Sequence, residues 1–173
     1  MDYFLLKQDK RYHTLNIVDL FKRINAMDFT TLRADNIPDN DSFFVKPSDY
    51  NQFTDILEAP IYLVSEELKN ILGKYNRNII FKRMALIDRE KQKQKIYNIP
   101  IFEPFEALHE DSEFNLNKTV VKKIVLDKEK IKNHKVFKIK ESFDTLVVVR
   151  LDVAESLLRR DFHGISLERL QIK

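Results

Sequence analysis

Only two glycines, Gly73 and Gly164, are spread over the 173 residues. A loop that cradles phosphate needs several clustered glycines, because its amides must crowd onto the anion with no Cβ in the way. Dinucleotide-binding and P-loop folds are therefore excluded. Cysteine is absent, which removes a disulfide framework, a zinc–thiolate site and a cysteine nucleophile together. The chain must hold itself by apolar burial. A chain of this length buries roughly 70% of its unfolded surface, and 43% of its residues are hydrophobic, enough to fill a core. The 33% that are charged predict a heavily solvated exterior. Uncharged stretches such as Ala59 to Ser65 fall far short of the about 20 residues a membrane-spanning helix needs. Met1 to Lys7 is too short an apolar run for a signal peptide. The expectation is a cytoplasmic protein without a membrane partner or a cofactor.

The apolar pattern alternates between strand-like and helix-like periods, and one succession occurs twice. Leu63 to Leu72 followed by Ile79 to Met84 resembles Val148 to Leu158 followed by Ile165 to Leu170. Each reads as strand, short helix, strand, with copies at about 61–87 and 145–172. Leu68, Ile71 and Leu72 form one helical face; Leu151, Ala154, Leu157 and Leu158 form the other. Ser65 is the expected N-cap of the first helix, and Gly73 and Gly164 are expected at the helix exits. Tyr3 to Lys7, Ile79 to Ile87, Lys95 to Phe102, Lys122 to Leu126, Lys135 to Lys140 and Thr145 to Val149 read as further strands. Asp88 to Lys91 reads as a hairpin turn, and Pro100 places the end of its second strand at an edge. Asp19 to Met27 reads as a helix with Leu20, Ile24 and Met27 on one face, and Asp35 to Tyr50 as loop. The fold class is α+β with a mostly antiparallel sheet. Residues 1–173 form one domain with possible lobes 1–117 and 118–173, each built around one copy.

Candidate chemistry is sparse. His109, Glu110, Asp111 and Glu113 form a polar cluster, but no second histidine follows at a zinc-binding helical spacing, so a solvated loop is expected. Asp35, Asp39 and Asp41 lack the glycine and terminal glutamate of a calcium loop. His13, His134 and His163 are scattered, and there is no nucleophile elbow. Lys82 and Arg83, matching Glu168 and Arg169, read as a solvated strand face. Residues 118–140 carry nine lysines against Asp127 and Glu129, while 1–60 is net acidic. The lysine block suits a solvated face, a partner surface or nucleic-acid phosphates. Its one aromatic, Phe137, alternates inward with Ile139 against Lys138 and Lys140, so it offers no base-stacking platform.

The same elements resemble a bacterial family, the immunity proteins of polymorphic-toxin systems, immunity family eleven. Ile61-Tyr62-Leu63-Val64-Ser65-Glu66-Glu67-Leu68-Lys69 is similar to that family's strand-to-helix step. Tyr97 to Phe114 is similar to its connecting segment, and Val125 to Ile131, Lys135 to Lys140 and Gly164 to Arg169 to its closing pattern. The resemblance spans about residues 49–172; Arg150-Leu151-Asp152 and Phe162-His163-Gly164 depart from the family's wording. It implies a non-enzymatic protein that docks on a cognate toxin and neutralises it. Contact is expected through the acidic loop-rich stretch with Asp35, Asp39, Asp41 and Asp49, or through the lysine face with Lys122 and Lys123. A nucleic-acid-binding module on 118–140 is the alternative.

Overall fold

The computed structural model describes residues 1–173 and is α+β, with mostly antiparallel sheets and short helices. Its first elements are β1 (Tyr3–Gln8), α1 (Leu20–Arg23), β2 (Asn40–Phe44), β3 (Ile56–Leu57), β4 (Leu63–Ser65), α2 (Glu66–Tyr75), β5 (Ile80–Asp88) and β6 (Lys93–Ile101). There follow β7 (Glu113–Phe114), β8 (Val121–Lys123), β9 (Val125–Leu126), α3 (Lys128–Ile131), β10 (Val136–Lys138) and β11 (Val147–Arg150). The last are α4 (Leu151–Leu158), β12 (Ile165–Arg169) and β13 (Gln171–Ile172). Two compact units share the chain: Gln8–Phe102 with His163–Ile165, and Met1–Lys7 with Glu103–Phe162 and Ser166–Lys173. The division falls at 102/103 rather than 117/118, and β1 belongs with the C-terminal part because it pairs with β11.

The unit containing 8–102 is built on a sheet in the order β2-β5-β6-β4-β3. Its centre is the β5–β6 hairpin, paired from Ile80 opposite Ile101 to Asp88 opposite Lys93. Asp88 shapes the turn: its Oδ1 accepts from the Lys91 backbone N–H at 3.0 Å. Pro100, which cannot donate to a ladder, falls past Asn98, the last β6 residue paired with β4. Phe43, Leu63, Met84, Leu86, Tyr97, Ile99 and Ile101 pack with Leu15, Ile17, Leu20, Ile24 and Ile37 into one core. Each such burial contributes roughly 1.5–3 kcal/mol. Helix α2 packs on β4 and β6 and buries Leu68, Ile71 and Leu72. Ser65 caps it, its Oγ accepting from the Leu68 N–H at 3.3 Å.

Four expectations for this unit are corrected. Residues 35–50 contain β2, which runs parallel to β5 from Asn40 opposite Arg83 to Phe44 opposite Ile87. Asn40 and Asp41 are poor strand formers, and the ladder to β5 overrides that preference. The expected helix 19–27 is one turn long, because Ile24 is extended and the Asn25 side chain accepts from the Met27 N–H to start a separate 3-10 turn. Met27 is consequently exposed. Gly73 lies inside α2, whose exit is at Asn76. Lys82 is buried, not on a solvated face. Gly164, in contrast, has φ +72°, and a Cβ there would fall 2.3 Å from Thr54 Cγ2, so glycine is required.

The other unit has a sheet in the order β10-β11-β1-β12. β1 and β11 are antiparallel, Tyr3 opposite Arg150 to Leu6 opposite Val147. Val147, Val148 and Val149 are all buried, as fits a strand with neighbours on both sides. Phe137 points inward, its ring 5.0 Å from that of Phe105, in a core with Tyr3, Leu5, Leu126, Ile131 and Val148. The stretch expected as one strand at 122–126 is two: β8 pairs with β7, and β9 runs parallel to β13. Both β4-α2-β5 and β11-α4-β12 are strand, helix, strand, and a third strand separates each pair. In one the separator is β6, which follows; in the other it is β1, from the start of the chain. The order of elements recurs, but this does not establish a repeat of the chain.

Candidate functional site

Asp35, Asp39, Asp41 and Asp49 belong to the unit containing 8–102, and Lys122 and Lys123 to the other. Two of the four aspartates are committed to the fold. The Lys82 side chain is 7% exposed, and its Nζ donates to Asp39 Oδ1 at 2.5 Å. Burying an ammonium without a counter-charge is costly, so Asp39 is what lets Lys82 sit there. Asp41 pairs with Arg23, whose guanidinium lies 4.1 Å from the centre of the Phe43 ring. Asp35 sits on an exposed turn. Asp49 is exposed, and its carbonyl accepts from Lys91 Nζ at 3.0 Å.

Asp49 also lines a cavity of about 450 Å³ beside the β5–β6 turn, with Asn51, Phe53, Asp88, Lys91, Lys93 and His163. The ionisable groups here mostly serve the loops. Asp88 is buried, and its second oxygen accepts from Asn51 Nδ2 at 3.2 Å. The Lys91 backbone N–H holds this carboxyl below the usual carboxylate range, which favours its ionised form. Lys91 Nζ is spent on the Asp49 and Asn51 carbonyls. The His163 backbone N–H donates to Asp55 Oδ2 at 2.6 Å, and its ring stands edge-on to Tyr12. No Ser, Thr or Cys lines the cavity to meet His163 as a nucleophile. At the other candidate cluster, His109 Nδ1 accepts from the Asp111 N–H at 3.2 Å, and Asp111 pairs with Lys173. No group of three or more His, Cys, Asp or Glu is arranged to hold a metal ion.

The lysine block divides into paired and free charges. Lys123 pairs with Glu113, Lys130 with Asp127, Lys132 with Glu129, Lys135 with Asp152 and Lys140 with Glu106, at 2.9–3.9 Å. Burial lowers the pKa of Lys138. Lys118 and Lys122 are exposed and form no ion pair. Both lie on the β7–β8 hairpin, where Asn115 fixes the turn: its Oδ1 accepts from the N–H of Thr119 at 2.8 Å and of Val120 at 3.1 Å. Leu116 on this turn is 101% exposed. Phe143 is 83% exposed, and its N–H donates to the Thr119 carbonyl at 2.9 Å, which holds it beside the same turn.

No protein-family model matches the chain, and no curated protein matches it. Leu116 and Phe143 are two large apolar side chains in water, on loops joined by the Phe143–Thr119 hydrogen bond, and the unpaired Lys118 and Lys122 lie on the same hairpin as Leu116. Single exposed apolar residues are ordinary; here two lie on loops joined by a backbone hydrogen bond. Sequence reasoning missed both. The signal available was local: Leu116 stands between Asn115 and Asn117, and Phe143 between Ser142 and Asp144, among turn-forming residues. No helix is long and apolar enough to cross a membrane.

Proposed function

We propose that this chain is a non-catalytic immunity-type protein that binds and blocks a cognate bacterial toxin domain in the cytoplasm. The observation that carries the reading is the exposed Leu116, on a turn fixed by Asn115, with the exposed Phe143 on a loop bonded to that turn and the free cations Lys118 and Lys122 on the same hairpin. A rigid aromatic anchor in a ring of polar contacts is how a small interface concentrates its affinity. Free lysines beside it steer an acidic partner and set register. A standard interface would bury about 800 Å² on each side. The sequence resemblance of residues 49–172 to immunity family eleven supplies the partner class. The alternative, nucleic acid on 118–140, is disfavoured because five of the nine lysines there already hold carboxylates.

The test is co-expression with a toxin domain from the neighbouring reading frame, which the proposal requires. Wild-type chain should restore growth and co-elute with the toxin on size exclusion, and Leu116→Asp with Phe143→Asp should abolish both. No rescue and no complex with the wild-type chain would end the proposal.

A further inference from the structure

Nothing in the fold requires glycine at position 73. Gly73 lies in α2, shortly before the helix ends at Tyr75, and has no left-handed φ. A Cβ built there meets only Phe81 Cε2, at 3.7 Å, which is an ordinary contact. Glycine inside a helix is less stable than alanine. Neither backbone nor packing therefore asks for it. Its bare backbone does contribute to a groove of about 510 Å³ between the end of α2 and the start of β5. Lys69, Lys74 and Arg77 line this groove with the carboxamides of Asn70 and Asn76, and no carboxylate does. Lys69 is shared, pairing with Glu66 at 3.1 Å. Lys74 and Arg77 form no ion pair.

We propose that this groove binds an acidic segment of a protein partner, with its main chain passing close over Gly73 and its carboxylates on Lys74 and Arg77. The missing Cβ opens the approach to a main chain. The Asn70 carboxamide matches both the N–H and the C=O of a peptide, whereas Asn76 Oδ1 already accepts from the Asn78 N–H at 3.0 Å. The Arg77 guanidinium offers the fork that a carboxylate accepts two-fold. A nucleic-acid strand fits less well, because the groove supplies one aromatic ring, Phe81, and two free cations. The groove lies wholly in the unit containing 8–102, while the apolar tip lies in the other, so the inference does not depend on the toxin reading.

Fluorescence anisotropy of a labelled oligoglutamate peptide, titrated with the full chain, tests it. A neutral peptide and a single-stranded DNA oligonucleotide serve as comparisons. The acidic peptide should bind at low ionic strength and weaken as salt rises. Lys74→Glu with Arg77→Glu should weaken it at least about tenfold, the equivalent of 1.4 kcal/mol. Gly73→Ala should raise the melting temperature and yet weaken the peptide, a combination that a merely structural glycine would not give. Absence of peptide binding by the wild-type chain at low ionic strength overturns the proposal, as does an affinity unmoved by both variants. Tighter binding of DNA than of the peptide also overturns it, in favour of nucleic acid.

Discussion

The acidic stretch around Asp39 and the basic tip around Leu116 are both dense in charge, yet they use it differently. Asp39 and Asp41 are turned on cations of their own unit, and one of those cations is buried. Lys118 and Lys122 are turned on water, next to apolar side chains that no neighbour covers. Charge that the fold consumes should register in stability. Charge and apolar surface that the fold leaves over should register in binding alone.

The largest expected effect is at Asp39. Asp39→Ala strands the Lys82 ammonium and should cost about 2 kcal/mol in urea denaturation, less than the 3–5 kcal/mol of a fully buried pair because Asp39 itself faces water. Lys82→Met in the same background should recover most of that loss, since it removes the orphaned charge and keeps the apolar stem. A silent Asp39→Ala would erase the contrast between the two regions. Acid provides a second test, at Asp88. Its native pKa is lowered, so its contribution is whole above the unfolded value of about 3.9 and disappears as pH falls through the lower native value. The stability gap between wild type and Asp88→Asn should therefore narrow below about pH 3.9, read by denaturation at stepped pH. The smallest stability effect is at the tip. Leu116→Ser, Phe143→Ser and Lys122→Glu should each stay within about 0.5 kcal/mol of wild type. Lys122→Glu should slow association with the proposed partner, measured as an on-rate that becomes less salt-dependent. A tip variant that unfolds the protein would mean the two regions are alike after all.

Much of the fold was legible wherever neighbours in sequence decide the outcome. The runs flanking Asp88 to Lys91 paired as a hairpin because the strands are contiguous and the turn aspartate bonds its own backbone. Ser65 capped α2, and Phe137 went inward on its period of two. The misses share a different cause: the deciding partner is remote. β2 is a strand only because β5 is there to pair with it. Lys82 is buried only because Asp39, distant along the chain, reaches it. Phe143 is tied to the β7–β8 turn by a bond to Thr119 that no local pattern announces. Of the residues expected at the site, Lys122 lies at the tip that carries the proposal, whereas Asp39 and Asp41 are tied into the fold.

The strand β1 lies between β11 and β12, so a strand from early in this sequence is flanked by two from late in it. A ribosome delivers Tyr3–Gln8 long before Val147–Arg150, and until then β1 has both edges open. The unit containing 8–102 has nearly all its segments early and can condense while β1 waits. Sheets joined over such a sequence separation close slowly, and unpaired edges invite foreign strands in the meantime. Chains arrested before Val147 should therefore be the sticky species during synthesis, and a chaperone that shields β1 should raise the yield of finished protein.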